Sequence, residues 1–263
     1  MTAVSSVRVP VLMYHEIAEV SETRSRLAVC PAAFEAQLGY LRGAGFTAIS
    51  AGELAARLAR DDVRLPDRPV VLTFDDGYAD FRSRAMPALE RYGFTATLFV
   101  TTGWMQDSGT RPAAPNRMLT EIELAEAAAA GVEIGAHTRQ HPQLDQLPEQ
   151  RVREELYTSR QWLEDKLGRP VPGLAYPFGY STARVREVAR ETGYGYACAV
   201  GNMTASPASD LFALPRLTIR RATTMPAFRR LVAGHPTAGL LEDRALTKGW
   251  AVVRRARAAM HKS

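Results

Sequence analysis

The chain has 263 residues, 46% hydrophobic and 23% charged, which is ordinary globular usage and excludes a collagen, a coiled coil or a disordered chain. Its formal charge of +5 is unevenly placed: residues 1–215 carry 22 Lys/Arg against 26 Asp/Glu, and residues 216–263 carry 11 against 2. Most of the chain is thus slightly acidic, and nucleic acid is not an expected partner.

In chain order, short β-rich runs alternate with helical patterns. Residues 7–14 read as a strand, and Phe34, Leu38 and Leu41 keep helical spacing up to Gly43 and Gly45. Residues 46–49 form a short strand and 53–60 a short helix. The near-continuous apolar run 69–74 is what a strand covered on both faces looks like. A helix over 80–91 with a kink at Pro87 follows, then a strand over 95–101. A helix over 121–130 stops at Gly131, and 132–136 is the next strand. Val152, Leu156, Ser159, Leu163 and Leu167 form one stripe of a long helix closed by Gly168. A strand at 174–176, a helix over 181–192, and strands near 194–200 and 214–219 complete the series. Eight strands with intervening helices predict an α/β fold, an irregular (β/α) barrel of seven or eight strands. No Gly-rich dinucleotide or Walker loop follows any strand, which argues against a nucleotide enzyme.

Catalytic groups of a parallel barrel sit where its strands end. The strand 69–74 ends in Asp75-Asp76-Gly77-Tyr78. One Asp there is explained as a helix N-cap; two adjacent carboxylates at the tip of an apolar strand are costly unless a cation is close. The strand 132–136 ends in His137-Thr138-Arg139-Gln140-His141-Pro142, which places two of the five histidines four apart. Both imidazoles can then reach one metal ion, and two His with one Asp give the open, three-ligand zinc site of a hydrolase. As a bare pair the spacing is weak, since surface loops produce it by chance. A third strand ends in Ala175-Tyr176-Pro177-Phe178-Gly179, alone only a turn, and a fourth in Met13-Tyr14-His15-Glu16.

Taken together, Thr73-Phe74-Asp75-Asp76-Gly77, the 137–142 motif and Tyr176-Pro177-Phe178-Gly179 resemble the successive motifs of the polysaccharide deacetylases, carbohydrate esterase family four. The opening Val11-Leu12-Met13-Tyr14-His15 is similar to the branch containing the bacterial poly-N-acetylglucosamine deacetylases, and the resemblance runs from about residue 10 to 220. It implies an irregular (β/α) barrel, a substrate with N-acetylated sugars, and a divalent metal, usually zinc. By resemblance, Asp75 is the catalytic base, and Asp76, His137 and His141 hold the metal. The backbone N–H of Phe178 stabilises the oxyanion, and His15 is the acid that protonates the leaving amine. Many relatives carry an Arg two residues before the motif proline to pair with the base; here that position is Ala175, and Arg216 is the substitute. Arg216, Tyr78, Trp104 and Tyr176 are substrate-binding candidates, with core packing the competing reading for the aromatic residues. The alternatives within the same barrel are hydrolysis of another amide or ester (a ureide, a formyl-sugar or acetylated xylan) or an inactive sugar-binding protein.

The expected organisation is a barrel domain over 1–235 and a basic helical tail over 236–263. From Arg244 to Lys262 there are six cations and no acid, with Leu246, Trp250, Val253 and Met260 on one helical face. Peripheral contact with anionic lipid suits that pattern, whereas Arg257 on the apolar face and Gly249 favour a helix docked on the barrel. Cys30 and Cys198 can build neither a disulfide framework nor a cysteine-rich zinc site. No apolar run approaches the ~18 residues of a membrane span, and residues 1–8 lack the pattern of a secretory signal. A cytoplasmic location is therefore expected, with membrane association through the tail left open. Oligomeric state is not legible.

Overall fold

The computed structural model describes residues 7–60, 64–107 and 116–235. The basic tail over 236–263, with its expected helix and lipid contact, lies outside the described residues. In chain order the elements are β1 (Val11–Tyr14), α1 (Pro31–Gly43), β2 (Thr47–Ile49), α2 (Ala51–Leu58), β3 (Pro69–Phe74), α3 (Met86–Tyr92) and β4 (Thr97–Val100). There follow α4 (Glu121–Ala129), β5 (Glu133–Ala136), α5 (Glu149–Leu167), β6 (Gly173–Ala175), α6 (Ala183–Glu191), β7 (Tyr196–Cys198), β8 (Leu217–Thr218) and α7 (Met225–Val232).

All eight strands pair in parallel, in the order β7-β6-β5-β4-β3-β1-β8, with β2 attached to β3. Val71 pairs with Val11 on one side and Ile49 on the other, while Thr73 pairs with Met13 and Thr97. One edge of β3 is therefore shared, its lower half by β2 and its upper half by β4. That wedge is the irregularity of an otherwise curled half-barrel. The two ends of the sheet are joined by residues 211–218. Leu214 exchanges backbone hydrogen bonds with Ala197 and Ala199 beside β7, and four residues later Thr218 pairs with Met13 of β1.

β1, β3 and β4 are buried along their whole length, as strands covered by helices outside and side chains inside must be. Tyr14, Phe34, Phe74 and Phe81 form an aromatic cluster under the rim, with ring centroids 4.9 to 5.8 Å apart. Helix starts follow their sequence signals: Ser50 and Thr182 cap α2 and α6, and Thr120 with Glu123 forms a capping box on α4. The predicted kink at Pro87 appears as a wide turn over Phe81–Ala85 leading into α3, where the proline occupies the first turn and needs no N–H partner. α7 was not anticipated; Thr224 caps it, and Phe228 packs edge-on against Tyr40 of α1 at 6.2 Å. Among the described residues no helix is long and apolar enough to cross a membrane.

Candidate active site

Because every strand runs the same way, the segments that follow β1, β3, β5 and β6 meet on one rim. Asp75 leaves β3 with its N–H bonded to the Tyr14 carbonyl at 3.0 Å. Its carboxylate is buried and takes both arms of the Arg216 guanidinium, Nη1 to Oδ1 at 2.6 Å and Nη2 to Oδ2 at 2.8 Å. Arg216 is itself buried, and its remaining donors are used by the Ala199 carbonyl and the Thr73 hydroxyl, each at 3.2 Å. Such a fork fixes the direction of the pair as well as its charge. Burial works against the Asp75 carboxylate, but the charges of Arg216 and His137 outweigh it and hold its pKa below the usual value.

Asp76 and the two histidines converge on one point. Nε2 of His137 and Nε2 of His141 each lie 3.4 Å from Asp76 Oδ1 and 3.2 Å from one another. Oδ1 is buried without a hydrogen-bond partner. His137 Nδ1 lies 2.7 Å from the Ala175 carbonyl and donates its N–H there, which turns Nε2 toward Asp76. Burial and the neighbouring His137 push His141 down to about 4, leaving that ring neutral near pH 7. A buried anionic oxygen with no donor, facing two imidazole nitrogens, is a donor set suited to a divalent cation such as zinc. Among the described residues these three form the one cluster with such a spacing, all ligand atoms falling within 4.8 Å of each other.

The backbone is bent hard to achieve this. Asp76, Thr138, His141, Phe178 and Asn202 all have positive φ, five of the six non-glycine residues that do among those described. Residues forced into that region concentrate at functional sites when surrounding contacts hold them there. For the 137–141 loop those contacts are visible. The Thr138 hydroxyl accepts the His141 N–H at 2.9 Å. Buried Glu155 of α5 accepts the N–H groups of Arg139 and Gln140 at 3.0 and 2.8 Å. From the other side, the Gly103 N–H donates to the Arg139 carbonyl at 2.7 Å, an approach that a Cβ on Gly103 would block at 2.5 Å.

A cavity of about 320 Å³ opens over the cluster, lined among others by His15, Asp75, Asp76, His137, His141 and Arg216. His15 Nδ1 is buried there without a partner. The Phe178 backbone turns at φ 59° beside the same cavity, and its ring lies 4.7 Å from that of His141. The three aromatic substrate candidates are not among the residues lining this cavity. Trp104 packs on His141 with ring centroids 4.9 Å apart. Tyr176 is fully buried with its hydroxyl donated to the Phe212 carbonyl at 3.0 Å. Tyr78 is buried too; burial and the adjacent Asp76 charge raise its phenol far above the ordinary value. Glu155, Thr138, Thr73 and the Ala175 carbonyl are supporting groups that the sequence reading passed over, as is Asn202, which lines the cavity and accepts the Thr218 N–H at 3.1 Å.

Comparison with known proteins agrees with this geometry. The sequence profile described as polysaccharide deacetylase matches residues 62–197, just over half of the chain. YxkH of Bacillus subtilis (strain 168), named as a polysaccharide deacetylase, is 28% identical over 221 residues, which is 84% of this chain and 75% of that protein. A poly-beta-1,6-N-acetyl-D-glucosamine N-deacetylase of Staphylococcus aureus (strain MSSA476) is 24% identical over 165 residues, 59% of this chain and 56% of its own length. The solved structure of the Streptococcus pyogenes deacetylase PplD in complex with acetate superposes with a TM-score of 0.78 at 26% identity, covering 88% of this chain and 100% of that one.

Proposed function

The chain belongs to the polysaccharide deacetylase family, and on that premise we propose that it is a metal-dependent hydrolase removing acetyl groups from N-acetylated amino sugars. The observation that carries the reading is the buried, unpartnered Asp76 Oδ1 between the Nε2 atoms of His137 and His141, next to the Asp75 carboxylate that Arg216 keeps ionised.

Asp76, His137 and His141 would hold the ion, and a divalent cation there polarises an acetyl carbonyl and makes water acidic near neutral pH. The chain's own groups do the rest. Asp75, charged and fixed by the guanidinium fork, accepts the proton of the attacking water as the new C–O bond forms. The carbonyl oxygen, becoming an oxyanion, accepts the backbone N–H of Phe178, a residue that lines the cavity. His15 donates a proton to the sugar nitrogen as the C–N bond breaks, releasing acetate and a free amine. The substrate enters through the open face of the cavity, with its N-acetyl group inward.

The test is acetate release from N-acetylglucosamine oligomers by the full chain. Activity should vanish on chelation, return on adding zinc, and fall by at least ~10² in kcat in Asp75→Asn. Undiminished turnover in that variant removes Asp75 from the role of base. Activity confined to ureides, or to xylan esters, in a parallel substrate panel would move the substrate class within the same barrel.

A further inference from the structure

Side chains alternate between the two faces of β4. Leu98 and Val100 belong to the large core cluster under the helices, whereas Phe99 joins the smaller cluster on the other face, with Val71, Tyr196 and Cys198. Space for the Phe99 ring comes from the neighbouring strand. Phe99 pairs with Gly135 of β5, and a Cβ on that glycine would lie 2.5 Å from ring atoms Cδ1 and Cε1. The ring therefore fills the volume that any other residue at position 135 would claim for itself.

What the ring meets there is a charge. The Arg216 Cζ stands over the Phe99 ring, 5.6 Å from its centroid, and both side chains are fully buried. Arg216 is the one buried arginine among the described residues, so its cation has left water and depends on the groups that face it. Hydrogen bonds to both Asp75 oxygens, the Thr73 hydroxyl and the Ala199 carbonyl fix where the guanidinium points. The ring adds an attraction of another kind. Its face carries partial negative charge and draws a desolvated cation, which an aliphatic side chain of similar size does not do.

We infer that Phe99 is a positioning residue of the reaction: by holding the Arg216 guanidinium it fixes, through the two-point fork, the direction of the Asp75 carboxylate. Gly135 is the space that makes this possible. The inference rests on the deacetylase reading for the role of Asp75 as the base. Phe99 is not among the residues lining the cavity, so it has no contact through which to change substrate affinity. A base displaced by about 1 Å, in contrast, costs on the order of 10² in rate, and the effect of Phe99 falls on kcat and not on KM.

The experiment compares three variants of the full zinc-loaded chain. Phe99→Leu removes the ring face and keeps an apolar side chain. Phe99→Leu combined with Gly135→Ala returns a methyl to the vacated space, and keeps the test open if the single variant does not fold. Leu98→Ala lowers stability on the opposite face of the same strand. Circular dichroism checks the fold of each. With an N-acetylglucosamine tetramer as substrate, kcat should fall about ten- to a hundredfold in both Phe99 variants at unchanged KM, and hold in Leu98→Ala. Nitrogen–proton NMR of the guanidinium groups reads the contact itself, without turnover. The Arg216 signals, assigned by their loss in Arg216→Met, should shift in the Phe99 variants as the ring current is removed, and stay in place in Leu98→Ala. Unshifted Arg216 signals overturn the inference, as does a kcat that holds in the Phe99 variants or falls as far in Leu98→Ala. Shifted signals in a chain that releases no acetate even when unmodified support Phe99 as the holder of Arg216 and sink the deacetylase reading; acetate release with unshifted signals does the reverse.

Discussion

Replacing Arg216 by methionine keeps much of the side-chain volume and removes the only cation that contacts both Asp75 oxygens among the described residues. Both partners are buried, with contact distances of 2.6 and 2.8 Å, so solvent cannot take over the role of the guanidinium. Removing one member of such a pair costs ~3–5 kcal/mol, because an uncompensated charge stays behind. The pH dependence follows in sign. In the native chain the folded Asp75 pKa lies below its unfolded value of about 3.9, so the pair's contribution is complete above that pH and is lost as pH falls through the folded pKa. In Arg216→Met, burial dominates and the folded pKa rises above the unfolded one, so the variant gains stability on acidification. Urea denaturation in the presence of chelator should therefore show a deficit of ~3–5 kcal/mol at pH 7 that narrows toward about pH 4. Combining Arg216→Met with Asp75→Asn should recover a large part of the deficit. A loss under ~1 kcal/mol at pH 7, or a gap independent of pH, would refute the reasoning, since that is how a solvated surface pair behaves.

Three further expectations concern other parts of the site. Glu155→Ala should weaken zinc binding by ~10–100-fold in a competition titration, the usual effect of losing an outer support of the ligands; unchanged affinity would mean that the 137–141 loop holds its shape without that carboxylate. Burial, and beyond it the Glu16 charge, raise Asp80 to about 6, so its ionisation costs stability as pH rises through that value. Asp80→Asn keeps an acceptor for the Ile17 N–H and should stabilise the chain by ~1–2 kcal/mol at pH 8 but not at pH 4; an equal effect at both pH values would count against the assignment. Gly179→Ala puts a methyl 2.3 Å from Val200 at φ +73° and should cost ~2 kcal/mol or more in denaturant titration; a neutral result would show that the Gly179–Val200 contact yields.

What the sequence disclosed, and what it withheld, follows from how local each feature is. The Asp75-Asp76 pair and the His137/His141 spacing are contiguous motifs at the ends of apolar runs, so their meeting on one rim was readable. The eight strands were likewise marked by short β-rich runs, although 7–14 and 214–219 shrink to Val11–Tyr14 and Leu217–Thr218, Leu214 meeting Cys198 of β7 only through an isolated bridge. The Arg216–Asp75 contact spans 141 positions and depends on residues 211–218 bridging the two ends of the sheet, which no local pattern encodes. Resemblance supplied the need for such an arginine, and the fold supplies its position. Glu155 was hidden for a different reason. It lies on the stripe side of a helix otherwise read for its apolar residues, and its partners are backbone N–H groups without a sequence signature. Tyr78 and Tyr176 adjoin the strand-end motifs, yet both are buried, Tyr78 beside the Asp76 carboxylate and Tyr176 with its hydroxyl on the Phe212 carbonyl.

The account stands on Asp76, His137 and His141 sharing one metal ion. Zinc stoichiometry of the full chain, with X-ray absorption of the bound metal, measures that directly. One equivalent is predicted, bound by two imidazole nitrogens at about 2.0–2.1 Å and a carboxylate oxygen at about 2.0–2.2 Å, and lost in His137→Ala and in Asp76→Ala. Full zinc occupancy in either variant, or a shell without nitrogen, would contradict it.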